Sequence, residues 1–274
     1  MISLALDSPE LAEKYDVVGR QQYECGKQLI EDLGVAAGQR VLDIGCGTGL
    51  LGAYVAAVVG PRGHVVGIDP LPFRVALARK KAPLRFDASV GKAEDLSALS
   101  PSSFDVVYLN YVLHWLPDKR AVLRGIHRVL RPGGLVGFTT LARDKQLLLD
   151  HACQKALAAT GLADTPAAIL TPYRATSKEV QELFALTGFK TKQLVVRTRA
   201  AHFGNVDDVL TFVCASSFGN HLSELTAAER DRVRDALALE LELYRDSQGI
   251  RLERNVISAI AQKVTNDPDH PETC

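Results

Sequence analysis

Short apolar runs alternate with longer stretches of helical periodicity along the first half of the chain. The runs are rich in Val, Ile, Leu and Phe, and they predict buried strands. They cover residues 41–44, 64–69, 84–90, 104–110 and 135–140. Between them, residues 50–59, 73–81 and 119–130 have the length and spacing of helices. Strands that alternate with helices predict a parallel sheet with helices on both faces.

Further helical segments and two more strand candidates flank this alternating region. The helical segments cover residues 10–33, 144–160, 177–187, 206–218 and 226–246. Ser177 is the expected N-cap of its helix, and Thr226 begins a capping-box sequence. Residues 190–201 alternate like an edge strand, and residues 254–264 are the last strand candidate. Residues 162–176 are expected to form an irregular loop, and the polar tail is expected to fray.

These elements together predict an α/β fold. We expect a three-layer α/β/α doubly wound sheet of about seven strands, mostly parallel, with a helical cap. A single domain is expected over residues 1–274. Its ligand-binding core would span residues 35–143, and residues 1–34, 144–176 and 204–250 would form the cap.

The first strand ends in a glycine loop that opens into a helix. Asp43 lies at the end of the strand, and Gly45, Gly47 and Gly49 follow at alternate positions. Glycine permits positive φ and leaves room for a ligand against bare backbone, and the free N–H groups of the next helix can bind that ligand. Residues 47–52 also fit the dinucleotide fingerprint. Because the Asp43 carboxylate would repel a pyrophosphate, the loop favours a nucleoside that carries positive charge, and a dinucleotide remains the alternative.

Polar residues lie at or just beyond the carboxyl ends of several predicted strands. They are Asp43, Asp69, Glu94 and Asn110. The carboxyl ends of parallel strands share one edge of the sheet, so these side chains are expected to converge on a ligand crevice there.

Composition limits the other possibilities. The chain has 274 residues, 47% hydrophobic and 23% charged, as is typical of a globular protein. Lys+Arg 32 balance Asp+Glu 32, so charge indicates neither a nucleic-acid partner nor a membrane surface. The sequence shows no apolar run of about 18 residues and no signal-like start, so we expect a cytoplasmic protein. The 5 cysteines are scattered, which predicts free thiols and no metal site.

Four stretches of the chain resemble the class I S-adenosylmethionine-dependent methyltransferases that act on small molecules. They are residues 41–49, 67–69, 104–107 and 130–134, in that order along the chain. The resemblance implies a Rossmann-like sheet whose last strand is antiparallel and pairs residues 254–264 with the edge at 190–201. It also implies S-adenosylmethionine as the cofactor, lying across the carboxyl ends of the first, second and fourth strands.

The resemblance also implies residues for the cofactor's two ends. Asp43 would face the methionine part, together with the backbone of Gly45, Cys46 and Gly47. Asp69 would hold the ribose hydroxyls.

Residues after the next strands would complete the cofactor site. Pro70 adjoins the ribose acid, and Ala93 and Glu94 would lie near adenine. Asn110 and Tyr111 would form the floor of the sulfonium pocket.

Two further positions bear on the cofactor. Relatives often carry an acid where this chain has Lys92, and a lysine cannot accept the adenine amino proton. The contact would then come from Glu94, Asp95 or backbone alone. Tyr15 and Arg20 lie in a segment that, in relatives, folds over the cofactor, so either could reach its carboxylate.

His114 is the candidate catalytic residue, just after the fourth strand and beside Trp115. An ordinary histidine pKa of about 6.5 suits removal of a proton from a phenol, thiol or acid. An alternative is that His114 orients Trp115 or contacts the cofactor's carboxylate. Residues 113–118 resemble the equivalent segment of methyltransferases that act on small carboxylic acids. A carboxylate needs no deprotonation, so for such a substrate His114 would only bind.

The predicted function is therefore methyl transfer from S-adenosylmethionine to a small-molecule acceptor, with a carboxylate or phenol oxygen favoured. A thiol, amine or carbon acceptor remains open, as do an NAD-dependent oxidoreductase and a non-catalytic cofactor-binding protein. Phe203, Phe212 and Phe218 are candidates for the acceptor pocket or for core. Cys153 and Cys214 could bind a thiophilic substrate such as arsenite, although their spacing does not require it. The sequence indicates no oligomeric state.

Overall fold

The structure is a computed structural model that describes residues 3–81, 84–165 and 173–264. Within these residues one sheet holds every named strand. The strands are β1 (Arg40–Ile44), β2 (His64–Asp69), β3 (Phe86–Val90), β4 (Phe104–Asn110), β5 (Leu130–Leu141), β6 (Phe189–Phe203), β7 (Arg245–Asp246) and β8 (Gly249–Lys263). The α-helices are α1 (Pro9–Val18), α2 (Arg20–Asp32), α3 (Leu50–Val59), α4 (Pro72–Lys81), α5 (Lys119–Val129), α6 (Leu148–Ala159), α7 (Ser177–Leu186), α8 (Val206–Ser216) and α9 (Ala227–Glu242).

The strand order is β3-β2-β1-β4-β5-β8-β6, and the two-residue β7 pairs with β8 off this path. Strands β1 to β5 run parallel, whereas β8 is antiparallel to both β5 and β6. The expected doubly wound, mostly parallel sheet is confirmed, as is the antiparallel pairing of the last long strand with the edge strand. The carboxyl ends of β1, β2, β4 and β5 consequently meet at one edge.

Helices cover both faces of the sheet, and each face has its own hydrophobic core. On one face, buried side chains of α2, α3 and α4 pack against the central strands. On the other face, α5 and α7 supply the cover, with Phe184 against Phe138 of β5 at a ring-centroid distance of 5.3 Å. A third cluster joins α6, α8 and α9 to the start of β8. In α9 the buried positions Val233, Leu237 and Leu241 recur every four residues, which places one apolar stripe against this cluster.

The N-cap predicted for α7 is wrong by one residue. Thr176 occupies the cap, and its hydroxyl accepts the Glu179 N–H at 3.2 Å. The Glu179 carboxylate in turn accepts the Thr176 N–H at 2.7 Å. Only Thr176 has a glutamate three residues later, so it forms the capping box and Ser177 becomes the first helical residue. The capping box predicted at Thr226 is confirmed.

Several predicted boundaries also differ from the structure. Helix α6 begins at Leu148 and α9 ends at Glu242, where the chain turns into β7 and pairs with β8. Strand β5 begins at Leu130, which pairs with Phe104 before an irregularity in the register. Residues 166–172 of the predicted loop 162–176 and residues 265–274 of the tail lie outside the described residues. No helix in the described part of the chain is long and apolar enough to cross a membrane.

Gly52 of α3 lies against Phe86 of β3, so helix and strand approach closely there. A Cβ at Gly52 would lie 2.7 Å from Phe86 Cε2, and the Phe86 ring is only 2% exposed. Gly125 of α5 is a matched helical glycine, because a Cβ there would meet Leu96 at an ordinary 3.4 Å.

We expect Gly52→Ala to lower the free energy of unfolding by about 1–3 kcal/mol, since overpacking outweighs the better helix propensity of alanine. Gly125→Ala should be neutral or stabilising by up to about 1 kcal/mol. Urea denaturation of both variants measures the difference. Equal stability of the two variants would contradict the close packing of α3 on β3.

Candidate active site

The glycine loop after β1 is held against the end of β2. Gly45 and Gly47 have φ of 75° and 53°, in the region that favours glycine. The N–H groups of Gly45 and Cys46 donate to the Ile68 carbonyl at 2.7 and 3.0 Å. A Cβ at Gly45 would collide with the side chain of Val112. The loop therefore needs glycine both for its backbone conformation and for its contact with the chain after β4.

Asp69, at the end of β2, is fixed by two backbone groups. Its Oδ2 accepts the Gly47 N–H at 2.9 Å, and its Oδ1 accepts the Leu71 N–H at 2.9 Å. The residue is 6% exposed, and burial raises the pKa of its carboxyl above the usual range. Each oxygen keeps a further lone pair, so this carboxylate can still accept hydrogen bonds from hydroxyl groups.

Asp43 belongs to β1 and is buried beside Tyr108 of β4. It is not among the residues that line the cavity described below. The Tyr108 hydroxyl donates to its Oδ2 at 2.6 Å. Burial raises the pKa of the Asp43 carboxyl to about 7, the Tyr108 hydrogen bond opposes that rise, and the Asp69 charge adds to it. Cys46 is also outside the cavity lining and packs in the hydrophobic core.

A cavity of about 500 Å³ opens at the carboxyl edge of the sheet. Its volume lies in the range of small-molecule and cofactor sites. It brings together the other residues predicted from the sequence, namely Tyr15, Gly45, Gly47, Asp69, Pro70, Ala93, Glu94, Asn110, Tyr111 and His114.

The floor of the cavity after β4 is fixed from two sides. Asn110 donates through Nδ2 to the Gln22 carbonyl at 2.9 Å, and its Oδ1 accepts the Thr139 hydroxyl at 2.6 Å. Tyr111 has φ of 59°, and its N–H donates to the Thr139 carbonyl at 3.0 Å. Its hydroxyl donates to Cys25 Sγ at 3.5 Å. These contacts attach the floor to β5 and to α2.

The loop after β3 forms another part of the lining. Ala93 is buried, whereas Lys92 and Glu94 are exposed. All three line the cavity. An apolar alanine inside and charged side chains towards solvent suit a flat aromatic ring, and the specific contact of Glu94 with adenine stays a prediction.

His114 is buried and neutral. Its Nδ1 lies 3.1 Å from the Thr140 hydroxyl and 3.4 Å from the Leu141 N–H. A peptide N–H can only donate, so we assign the ring proton to Nε2. Burial, aided by the charges of Lys119, Arg174 and Arg254, lowers the pKa of His114 to about 3. A histidine with so low a pKa is a weak base, which favours a binding role over proton removal.

Arg74 of α4 lines the cavity and was not predicted from the sequence. Its guanidinium lies between two rings, 4.2 Å from that of Tyr15 and 5.0 Å from that of Phe218. It donates to the Ala215 carbonyl at 2.6 Å and lies 3.7 Å from the Asp7 carboxylate. Burial raises the pKa of Asp7, and Arg74 opposes this. The sequence signal that could have identified Arg74 is a charged residue on the buried face of its helix.

Gln22 was also missed. It lies on the buried stripe of α2 with Cys25, Gly26 and Leu29, where a polar residue is unexpected. It lines the cavity, and its side-chain Oε1 has no hydrogen-bond partner in the described residues. A buried amide oxygen without a partner is costly, so it indicates a donor supplied by a ligand.

The other end of the cavity is aromatic. Trp115 packs on Phe218 at 4.8 Å between ring centroids, and Phe203 packs on Phe212 at 5.6 Å. All four line the cavity, as proposed from the sequence for the three phenylalanines. Asp150 also lines it and was missed.

Asp150 is paired with Arg174, whose guanidinium lies 3.0 Å from its carboxylate. Burial raises the pKa of the Asp150 carboxyl to about 6, against the lowering effect of Arg174. Sequence alone gave no signal for it, because Asp150 opens α6 like an ordinary acidic first-turn residue.

Comparison with known families decides the class of this site. The family model described as a methyltransferase domain matches residues 36–188, more than half of the chain. The chain belongs to this family. It is a class I S-adenosylmethionine-dependent methyltransferase domain, and S-adenosylmethionine is its cofactor.

Individual relatives match part of this methyltransferase domain. The malonyl-acyl-carrier-protein O-methyltransferase of Legionella pneumophila is 33% identical over 136 residues, 48% of this chain and 48% of that protein. An arsenite methyltransferase of Aquipseudomonas alcaligenes is 34% identical over 149 residues, 51% of this chain and 42% of that protein. The chain thus spans about half the length of these relatives.

A solved structure shares the fold over most of the methyltransferase domain. It is a putative methyltransferase from Bacillus halodurans with a TM-score of 0.62 and 15% identity. The match covers 88% of this chain and 99% of that one. At this identity the likeness shows the fold alone.

We expect His114 to keep the neutral, Nε2-protonated form between about pH 5 and 8, because burial disfavours its charged form. Long-range ¹H–¹⁵N NMR spectra of the folded protein measure the tautomer and the titration. His114→Asn identifies the signal, and the histidines of the urea-denatured protein should titrate near about pH 6.5. A His114 midpoint near 6.5 in the folded protein would restore it as a general base.

Proposed function

We propose that this protein transfers the methyl group of S-adenosylmethionine to an oxygen atom of a small-molecule acceptor. The observation that carries the proposal is one continuous cavity with two different ends. At one end lie the glycine loop and the buried carboxylate of Asp69, and at the other lie His114 and an aromatic wall. A cofactor and an acceptor can therefore meet within it.

The residues present fit the cofactor. Gly45 and Gly47 leave bare backbone beside the cavity, and Asp69 offers lone pairs to the ribose hydroxyls. The unpartnered Gln22 Oε1 would accept a hydrogen bond from the ammonium group. Ala93 would contact the adenine ring. S-adenosylmethionine, when bound, supplies a methyl group that is activated by the sulfonium charge.

The chain's own contribution is to position the acceptor and exclude water. Alignment in a dry pocket can supply about 7–11 kcal/mol of barrier lowering. His114 would donate its Nε2–H to an acceptor oxygen and hold it, since its low pKa makes it a poor base. A carboxylate fits this arrangement because it brings no proton to remove. For a phenol, Asp150, with a pKa of about 6, is the cavity group that would accept the proton.

Oxygen is favoured over a thiophilic acceptor. Residues 3–81, 84–165 and 173–264 contain no group of three His, Cys, Asp or Glu side chains that could hold a metal ion. The free cysteines Cys25, Cys46, Cys153 and Cys214 are not among the residues that line the cavity. The name of the Legionella relative also supports an oxygen acceptor, whereas that of the Aquipseudomonas relative supports arsenite.

The test is methyl transfer from radiolabelled S-adenosylmethionine to panels of carboxylic, phenolic, amine and thiol acceptors. We expect transfer to carboxylic or phenolic compounds. Asp69→Asn should raise the KM for S-adenosylmethionine about 10- to 100-fold, because the amide cannot match both backbone donors and the ribose. Asp87→Asn, an exposed change on the neighbouring β3, is the control.

Two outcomes would contradict the proposal. Transfer to thiols or amines alone would refute the oxygen acceptor. Tight binding of S-adenosylhomocysteine without transfer to any panel would identify a non-catalytic binding protein.

A further inference from the structure

Arg254 of β8 brings a positive charge into the acceptor end of the cavity. The residue is partly buried and lines the cavity. Its guanidinium lies 5.0 Å from the ring of Phe212, and Nη2 donates to the Gln21 side-chain oxygen. An aromatic ring and a neutral amide orient the guanidinium, and neither neutralises it.

Arg74, which also lines the cavity, and Arg174, whose charge acts on His114, both have carboxylate partners. Arg74 lies 3.7 Å from Asp7, and Arg174 lies 3.0 Å from Asp150. Next to Arg254, Glu253 pairs with Arg251 at 2.6 Å. Within the part of the chain that the structure describes, no carboxylate oxygen lies within 4.0 Å of the Arg254 guanidinium.

An unpaired guanidinium in a largely apolar cavity is a strong site for an anion. Its planar donor fork matches the two oxygens of a carboxylate, and low local polarity strengthens the pairing. Its charge reaches several cavity residues, because it lowers the pKa of His114 and opposes the rise in the pKa of Tyr111 and of Tyr15. The anion it binds would therefore lie within the cavity.

We propose that Arg254 binds a carboxylate of the methyl acceptor, while Trp115, Phe212 and Phe218 contact the acceptor's apolar body. The acceptor is then an apolar carboxylic acid with an aromatic or aliphatic body. This inference rests on the proposed function and names the substrate class and the residue that selects it.

The position of Arg254 in the sheet favours binding of the acceptor's carboxylate over binding of the cofactor's own carboxylate. The sheet order β1-β4-β5-β8 places two strands between the glycine loop and Arg254. Neighbouring strands lie about 4.8 Å apart, so the two sites are separated by about 14 Å across the sheet. The cofactor's amino-acid end belongs at the glycine loop. Arg254 instead contacts Phe212 of α8, on the aromatic side of the cavity.

Trp115 provides the readout. It is the only tryptophan of the 274 residues, it lines the cavity, and its ring lies 4.8 Å from that of Phe218. Its fluorescence reports occupancy of the acceptor end directly. The protein is saturated with S-adenosylhomocysteine and then titrated with phenylacetate, 3-phenylpropionate, hexanoate and octanoate. The corresponding uncharged amides serve as matched ligands.

We expect at least one acid to bind at least 10-fold more tightly than its amide. Arg254→Gln should weaken that acid about 10- to 100-fold and leave its amide unchanged, since a charge-assisted pair is lost. Arg254→Lys should retain part of the preference because it keeps the charge. Arg251→Gln, which removes a paired arginine three residues away, should bind the acid like the wild type. Unchanged thermal unfolding shows that each variant is folded.

Three results would overturn the inference. In the first, all acids and amides bind equally to the wild type; in the second, Arg254→Gln keeps the preference for acids. In the third, Arg254→Gln loses S-adenosylhomocysteine and keeps the acid, which would assign Arg254 to the cofactor's carboxylate. Failure of the wild type to bind S-adenosylhomocysteine at all would instead refute the proposed function, so the two failures are distinguishable.

Discussion

Two carboxylates buried at neighbouring strand ends set the character of this site. Asp43 is the next-to-last residue of β1 and pairs with Tyr108 of β4, and Asp69 ends β2. Burial raises the pKa of both carboxyls, and the Asp69 charge adds to the raised pKa of Asp43. A positively charged ligand bound nearby would lower the pKa of both carboxyls and stabilise their charged forms. The glycine loop depends on the same feature, because Gly47 N–H is one of the donors that holds Asp69.

Packing contacts link the glycine-loop end of the cavity to its aromatic end. Phe218 packs against both the Arg74 guanidinium and the Trp115 ring. Arg74 in turn contacts Asp7 near the start of the chain and the Ala215 carbonyl at the end of α8. Segments far apart in sequence therefore enclose one cavity over the sheet edge.

The fold could be predicted from the sequence because it follows local patterns, and so could the convergence of most candidate cofactor residues at one edge of the sheet. Strand and helix periodicity predicts the parallel sheet, and polar residues at strand ends converge wherever those strands are neighbours. Caps and boundaries were less predictable, since Thr176 and Ser177 differ only in which has a glutamate at the right spacing. The roles proposed for individual cofactor residues stay predictions.

The aromatic end of the cavity could be predicted only in part, through its three phenylalanines. Arg254 belongs to a strand, Phe212 to a helix and Trp115 to a turn, and only tertiary packing brings them together. No sequence motif links these three positions. The pair of Asp150 and Arg174 also depends on tertiary packing. Burial also changed the interpretation of His114, because its pKa depends on an environment that local sequence does not specify.

We expect the acidic end of β1 to favour a cationic cofactor, and proton release on binding tests this most directly. With a pKa of about 7, Asp43 is about half protonated at pH 7, and a bound cation would lower that pKa. Calorimetric titration with S-adenosylmethionine in two buffers of different ionisation enthalpy should show release of about half a proton per site. Asp43→Asn should release none. Binding to the wild type without proton release, or no binding, would contradict the claim.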